Sequence, residues 1–386
     1  MPPSEADFRR PSNAAALVRA IRSLTDGARP LRLMEICGTH TMAIAQAGLR
    51  ELLAPGVRLV SGPGCPVCVT PAGAIDAILR LSQRPGVIVA SYGDLLRVPG
   101  TARGDTLLRR RALGARVQTV YSPMDALEAA RALGARVQTV YSPMDALEAA
   151  RADPAAEVVF LGVGFETTAP GTAACILAAA EEGLTNFSVL CLLKRTEPAL
   201  RALIAAPDFA VDGFLCPGHV AAVTGAAAFA FLPRDYGLPA VVSGFEAGDI
   251  LYSVWRLARM RAEGRPALEN EYTRLVRDEG NPAAQAAMEQ VFRPVPSVWR
   301  GLGPIPASGL ALKEAFAPWD AARKFGLAPE PETETPGCRC GAVLRGVCGP
   351  RECPLFGRAC TPADPVGPCM VSSEGACAAA WKYGGA

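Results

Sequence analysis

Half of the 386 residues are hydrophobic and a fifth are charged, with a formal net charge of +2, which gives the chain enough apolar mass for two or three cored domains. Near-neutral charge with only four Trp and seven Tyr leaves no basic, aromatic-interleaved surface, and this argues against nucleic acid as a partner. Thirteen cysteines, an odd number, argue against a fully paired disulfide framework.

The first segment, residues 1–25, carries charges throughout and has no apolar signal-like region, so a cytoplasmic protein is expected. In a reducing cytosol clustered cysteines serve more often as metal ligands or redox thiols than as structural disulfides. Short runs rich in Val, Ile and Leu then recur: LRLMEI before Cys37, GVRLVSG before Pro63, GVIVAS before Tyr92, EVVFLGVG before Phe165, FSVLCLL before Lys194 and PAVVSG before Phe245. Each ends in a Gly or Pro turn and leads into a helical pattern, which predicts an α/β fold with parallel sheets covered on both faces. Functional residues of such sheets gather beyond the carboxyl ends of the strands.

Residues 111–130 are repeated without change at 131–150. Each copy reads as one strand followed by a helix, with Ser122 or Ser142 as N-cap and Pro123 or Pro143 at the first helical position. Only one copy is expected to fill a given place in a sheet. Residues 213–233 are uncharged and nearly long enough to span a bilayer, but Pro217, Gly218 and His219 divide them into a strand, a turn and a small-residue helix, so no membrane span is expected. These patterns divide the chain into an N-terminal segment 1–25, an α/β domain at 26–150, a second at 151–250, and a helical linker with a cysteine-rich domain at 251–386. That last domain has few large apolar residues and needs a staple such as a metal centre.

Seven cysteines lie between Cys338 and Cys377. The spacing of Cys353, Cys360, Cys369 and Cys377 is too wide for a zinc ribbon and lacks the bacterial ferredoxin run, so it suits a single cubane iron–sulfur cluster; a zinc or adventitious thiol site is the alternative. Cys338 and Cys340 are two further thiols upstream. Cys65-Pro66-Val67-Cys68 follows a strand, where a helix N-terminus favours thiolate and makes the pair a redox couple or a soft-metal ligand pair. Cys37-Gly38-Thr39-His40 also follows a strand. The chain has two histidines, and the second stands in a similar setting, Cys216-Pro217-Gly218-His219. Together with Gly-Phe-Glu at 164–166 and again at 244–246, this suggests two similar α/β halves facing one cleft. Gly162 to Thr167 lacks the third glycine of a dinucleotide fingerprint, so no nucleotide is assigned. Glu35, Glu166 and Glu246 are read as buried carboxylates, either proton donors or hydrogen-bonded structural groups.

Taken in order, MEICGTHT (34–41), GPGCPVCVTP (62–71), SYGDLLRVPG (91–100), GFETTAP (164–170), PGHV (217–220), SGFE (243–246) and CTPADPVGPCMVSSEGACAA (360–379) resemble the HypD family of nickel–iron hydrogenase maturation proteins. The tandem copy, Cys216 and Cys348 fall outside that pattern. The resemblance implies two Rossmann-like domains facing a cleft and a third, mainly helical and loop domain holding a 4Fe-4S cluster. It also implies a HypC-type chaperone with which the protein carries iron that becomes Fe(CN)2CO, and a HypE-type protein as cyanide donor. Carried over residue by residue, Cys37 becomes an iron ligand, Cys65 and Cys68 become redox thiols or further ligands, and His40 and His219 orient thiolates or relay protons. A cluster-containing disulfide reductase and a zinc-stapled interaction protein are the readings from other classes.

Overall fold

A computed structural model describes residues 14–25, 29–120, 143–327 and 335–384. The strands are β1 (Leu31–Glu35), β2 (Val57–Ser61), β3 (Val87–Tyr92), β4 (Val117–Val120), β5 (Glu157–Gly164), β6 (Phe187–Leu193), β7 (Gly213–Pro217), β8 (Ala240–Ser243), β9 (Leu268–Asn270), β10 (Phe292–Trp299) and β11 (Gly303–Leu312). They form a five-stranded sheet of order β2-β1-β7-β8-β9, a four-stranded sheet of order β4-β3-β5-β6 and a β10-β11 hairpin. Every neighbouring pair in the two larger sheets is parallel, as the alternation of strands and helices requires.

The period-two pattern explains how each sheet is covered. In the five-stranded sheet Leu33, Leu59, Leu215 and Val241 face helices Ala14–Thr25 and Ala247–Glu263 through Leu17, Ile21, Leu251 and Leu257. Their chain neighbours Met34, Val60, Phe214 and Val242 enter the opposite core with Trp299. In the four-stranded sheet Val89, Val159 and Leu161 pack on Ile75 and Ile78, while Ala90, Val158 and Phe160 pack on Ala173 and Ile176. A sheet buried on both faces reads as a continuous apolar run, which is why these strands are conspicuous in the sequence.

The strands group differently from the expected division at residue 150. The sheet that begins with β1 and β2 is completed by β7, β8 and β9, and the chain leaves it to build all of β3 to β6 in between. The register Leu33↔Gly213 and Glu35↔Leu215 makes the first sheet discontinuous in sequence. Local periodicity specifies a strand but not its neighbour, so the boundaries 26–150 and 151–250 do not separate the sheets. Nor is the stretch from residue 251 only a helical linker: it contributes β9 and the hairpin. The proline-rich residues 293–309 form most of that hairpin, whose two strands are both edges and so tolerate the missing N–H groups of Pro294, Pro296, Pro304 and Pro306.

Among the described residues the duplicated unit appears once, assembled from both copies. The strand is β4 of the first copy, paired with β3 at Val89↔Val117, and the helix is Pro143–Ala152 of the second, whose Ala146 and Leu147 reach the core beside Phe160. Residues 121–142, which hold the rest of both copies, lie outside the described residues. No helix among the described residues is long and apolar enough to cross a membrane.

Candidate functional site

The motifs converge at the carboxyl end of the five-stranded sheet. β1 delivers Cys37, β2 leads into the loop with Cys65 and Cys68, β7 leads to His219, and β8 leads to Gly244 and Phe245. Cys37 is the N-cap of helix Gly38–Gln46, with extended backbone at φ −148° and ψ 129°. The Cys37 and Cys65 loops touch: Gly38 N donates to Gly64 O at 3.2 Å, and a Cβ on Gly64 would stand 2.3 Å from Cys37 N. Only glycine permits that approach. Cys65 and Cys68 are joined as a disulfide, and Cys68 N donates to Cys65 Sγ at 3.1 Å.

Cys37 meets a carboxylate from the far end of the chain. Thr39 Oγ1 donates to Glu374 Oε1 at 2.9 Å, and a Cβ on Gly38 would fall 2.3 Å from Glu374 Cβ. Burial, reinforced by the charge of Glu374, pushes the Cys37 thiol up to about 12, against the opposing pull of the His40 and Thr39 amides. The metal-free site therefore holds a thiol. A bound cation reverses that balance, because a coordinating thiol gives up its proton.

The two histidines come together with a ring between them, but both follow strands of the one five-stranded sheet, not of two similar halves facing a cleft. Phe245 stacks on His40 at 4.6 Å and on His219 at 3.9 Å. His40 is fully buried; its Nε2 lies 2.8 Å from Gly244 O, and its Nδ1 has no partner. Burial lowers its pKa to about 4, so the ring is neutral and, with Nε2–H donated to the carbonyl, Nδ1 offers a lone pair. His219 is exposed. Its neighbour in the motif, Cys216, is not part of the site: it is wholly buried in β7, among core side chains, where burial raises its thiol.

The three glutamates separate. Glu35 is fully buried at the end of β1; its Oε1 accepts from Thr41 Oγ1 at 2.8 Å and Arg50 Nη2 at 3.3 Å, and Oε2 has no partner. Burial raises it to about 7. Glu166 is buried at the end of β5 and accepts from Thr196 N at 2.8 Å and Thr196 Oγ1 at 2.7 Å. Glu246, expected to be buried, is exposed and forms a capping box with Asp249 at the start of helix Ala247–Glu263.

The tail brings Cys353, Cys360, Cys369 and Cys377 to one small closed cavity and adds Cys338 and Cys340 to it. Cys369 and Cys377 are in contact, Sγ to Sγ 3.3 Å. Val343, Leu355, Phe356 and Met370 complete the lining, so the donor set is all sulfur in an apolar shell, which is what an iron–sulfur cluster requires. Cys348 stands apart, in a groove of about 480 Å³ between β2 and the C-terminal helix. Cys65 and Cys68 share one apolar core with Cys360, Cys369 and Cys377. Among the described residues no three His, Cys, Asp or Glu side chains are arranged about a single metal position, so Cys37, Cys65 and Cys68 are neighbours rather than a closed ligand set. Sequence reasoning missed Glu374, although VSSEGA immediately precedes Cys377 in the tail.

The model of the HypD family, described as a hydrogenase formation hypA family, matches residues 12–133 and 126–384. The chain belongs to the HypD family. The two matched stretches overlap inside the tandem repeat, as expected if the family pattern contains that unit once. Relatives include the hydrogenase expression/formation protein HupD of Azotobacter chroococcum mcd 1, 45% identical over 98% of this chain and 96% of its own length. The hydrogenase maturation factor HypD of Rhodobacter capsulatus is 45% identical over 99% of this chain and 98% of its own, and that of Escherichia coli K12 is 41% identical over 98% and 97%. With HypD relatives aligned over nearly their full length, the family assignment covers the cysteine tail as well as both sheets.

Proposed function

We propose that this protein is a hydrogenase maturation scaffold that, with a HypC-type chaperone, holds iron while cyanide and carbon monoxide ligands are installed, cyanide arriving from a HypE-type donor. The observation that carries this reading is the joining of three thiol systems: the Cys37 loop touches the Cys65 loop, and the Cys65–Cys68 pair shares a core with the tail thiols. Cys37 binds the substrate iron as thiolate, aided by the amides at the start of its helix. His40, held neutral and fixed by Gly244 O, positions its Nδ1 as an acceptor near that loop. Reduced Cys65 and Cys68 supply the electron pair that splits thiocyanate into cyanide and a thiolate, and they close to the disulfide as they do so.

A 4Fe-4S cluster held by the thiols of the tail cavity would supply the single electrons that reopen that disulfide. Cys353, Cys360, Cys369 and Cys377 would hold it, with Cys338 and Cys340 lining the same cavity.

The test is Cys37→Ser in the complex with the chaperone. The infrared bands of iron-bound cyanide and carbon monoxide disappear while iron and sulfide bound by the tail stay at wild-type levels. Both bands at wild-type intensity overturn the scaffold reading.

A further inference from the structure

Arg300, at the tip of the β10-β11 hairpin, is a buried cation without a carboxylate. It is 3% exposed, and no ion pair to it occurs among the described residues. Nη2 donates to Thr335 Oγ1 at 3.0 Å, and Nη1 is buried with no partner. A guanidinium cannot shed its proton, and a charge left without a counter-ion in the interior is strongly unfavourable. Something anionic has to offset that cost.

The chain fixes this residue between the two redox-capable thiol systems. Arg300 N donates to Val69 O at 2.9 Å, next to Cys68. The following residue, Gly301, has φ +74° and lies so close to Gly341 that a Cβ would stand 2.4 Å from Gly341 Cα, next to Cys340. Arg345 Nη1 closes the same contact by donating to Gly301 O at 3.0 Å. The guanidinium thus lies against Cys340, and its charge is felt at Cys369 as well. Both are thiols that turn into thiolates when they bind metal.

We propose that Arg300 is the counter-cation of the tail cavity, a positioning residue that holds the negative charge of the thiolate-ligated cluster and raises its reduction potential. This rests on the reading that the cavity takes a cluster. A cluster held by four thiolates is a net anion, and its charge grows by one on reduction, so a fixed positive neighbour favours the reduced form; net charge and hydrogen bonds to sulfur are what set such potentials. Being tied through its own backbone to the segment that carries Cys68, Arg300 also sits where electrons leave the cluster for the disulfide.

The experiment compares wild type, Arg300→Gln and Arg300→Lys, purified anaerobically as full chains. Iron and sulfide are counted, the cluster is titrated by electron paramagnetic resonance, and chemical denaturation is followed with and without the cluster. Arg300→Gln lowers the equilibrium constant for reduction about tenfold, ~59 mV toward more negative potential for one electron, and lowers cluster occupancy. Arg300→Lys keeps the charge and stays within about threefold of wild type, ~28 mV. Without the cluster Arg300→Gln is more stable than wild type, because an unpaired charge is gone; with the cluster the order reverses. Wild-type potential and occupancy in Arg300→Gln overturn the proposal, as does equal destabilisation with and without cluster, the signature of a purely structural tether. If Arg300→Gln does not fold, a tenfold shift in Arg300→Lys overturns it instead. Wild type lacking iron and sulfide overturns the cluster reading and this inference with it.

Discussion

The carboxyl ends of the two parallel sheets carry the same tripeptide, Gly-Phe-Glu, and put it to opposite uses. After β5, Phe165 stacks on Trp299 in a core and Glu166 is buried on Thr196. After β8, Phe245 is half-buried between two histidines and Glu246 is an exposed helix cap. The same residues serve packing in one sheet and line a site in the other because what lies opposite them differs: the hairpin covers the first turn, and the Cys37 helix faces the second. A repeated motif therefore reports a repeated local geometry, and only the surroundings give it a task.

The sharpest test of that contrast is the pair of phenylalanines. Phe165→Ala costs about 3–5 kcal/mol in chemical denaturation, as expected for emptying a buried aromatic site, while iron binding at Cys37 survives in the protein that folds. Phe245→Ala costs only about 1–2 kcal/mol, because its ring is half exposed, and it abolishes the cyanide and carbon monoxide bands by releasing His40 and His219. A Phe165→Ala variant that folds but loses those bands would erase the distinction.

The carboxylates come next. Thr196→Val removes the hydroxyl that Glu166 Oε2 accepts from and destabilises by about 1–3 kcal/mol, the cost of stranding a buried acceptor. Glu246→Ala removes a surface cap and costs about 1 kcal/mol or less. Equal losses in the two variants would mean that exposure does not separate the two glutamates.

Glu35 sharpens the comparison through pH. Folding moves its pKa from an ordinary 4.5 up to about 7, so between those values the folded protein holds a proton that the unfolded chain has released. Its contribution is complete below pH 4.5 and is lost as the pH rises through 7. Glu35→Gln should therefore flatten the fall in stability across that window by at most about 1.4 kcal/mol per pH unit. A stability–pH curve unchanged by the substitution would show that Glu35 ionises freely in the folded state.

The smallest effect concerns the duplication. Removal of any twenty consecutive residues within 111–150 yields the same sequence, in which β4 runs directly into the helix now at Pro143–Ala152. The melting temperature and the iron and sulfide content of that shortened chain should match the full one. A lower melting temperature would show that residues 121–142 add to the core.

The sequence by itself determined the elements and the places where chemistry gathers. Strands buried on both faces stand out as apolar runs, and turns after them carry Cys37, Cys65, Cys68 and His219, because parallel strands end on one side of a sheet. It also marked the tail as a thiol-rich module in need of a staple. What only the tertiary structure decided is who meets whom. That β1 lies beside β7, that Glu374 reaches Thr39 across 335 residues, and that Arg300 faces the tail thiols all depend on how finished elements dock. Docking is governed by summed apolar burial and shape over whole faces, which no local pattern encodes. The exposure of Glu246 and the core position of Cys216 follow from the same cause: a residue's spacing sets the side it faces, and the neighbouring element decides whether that side is solvent, core or site.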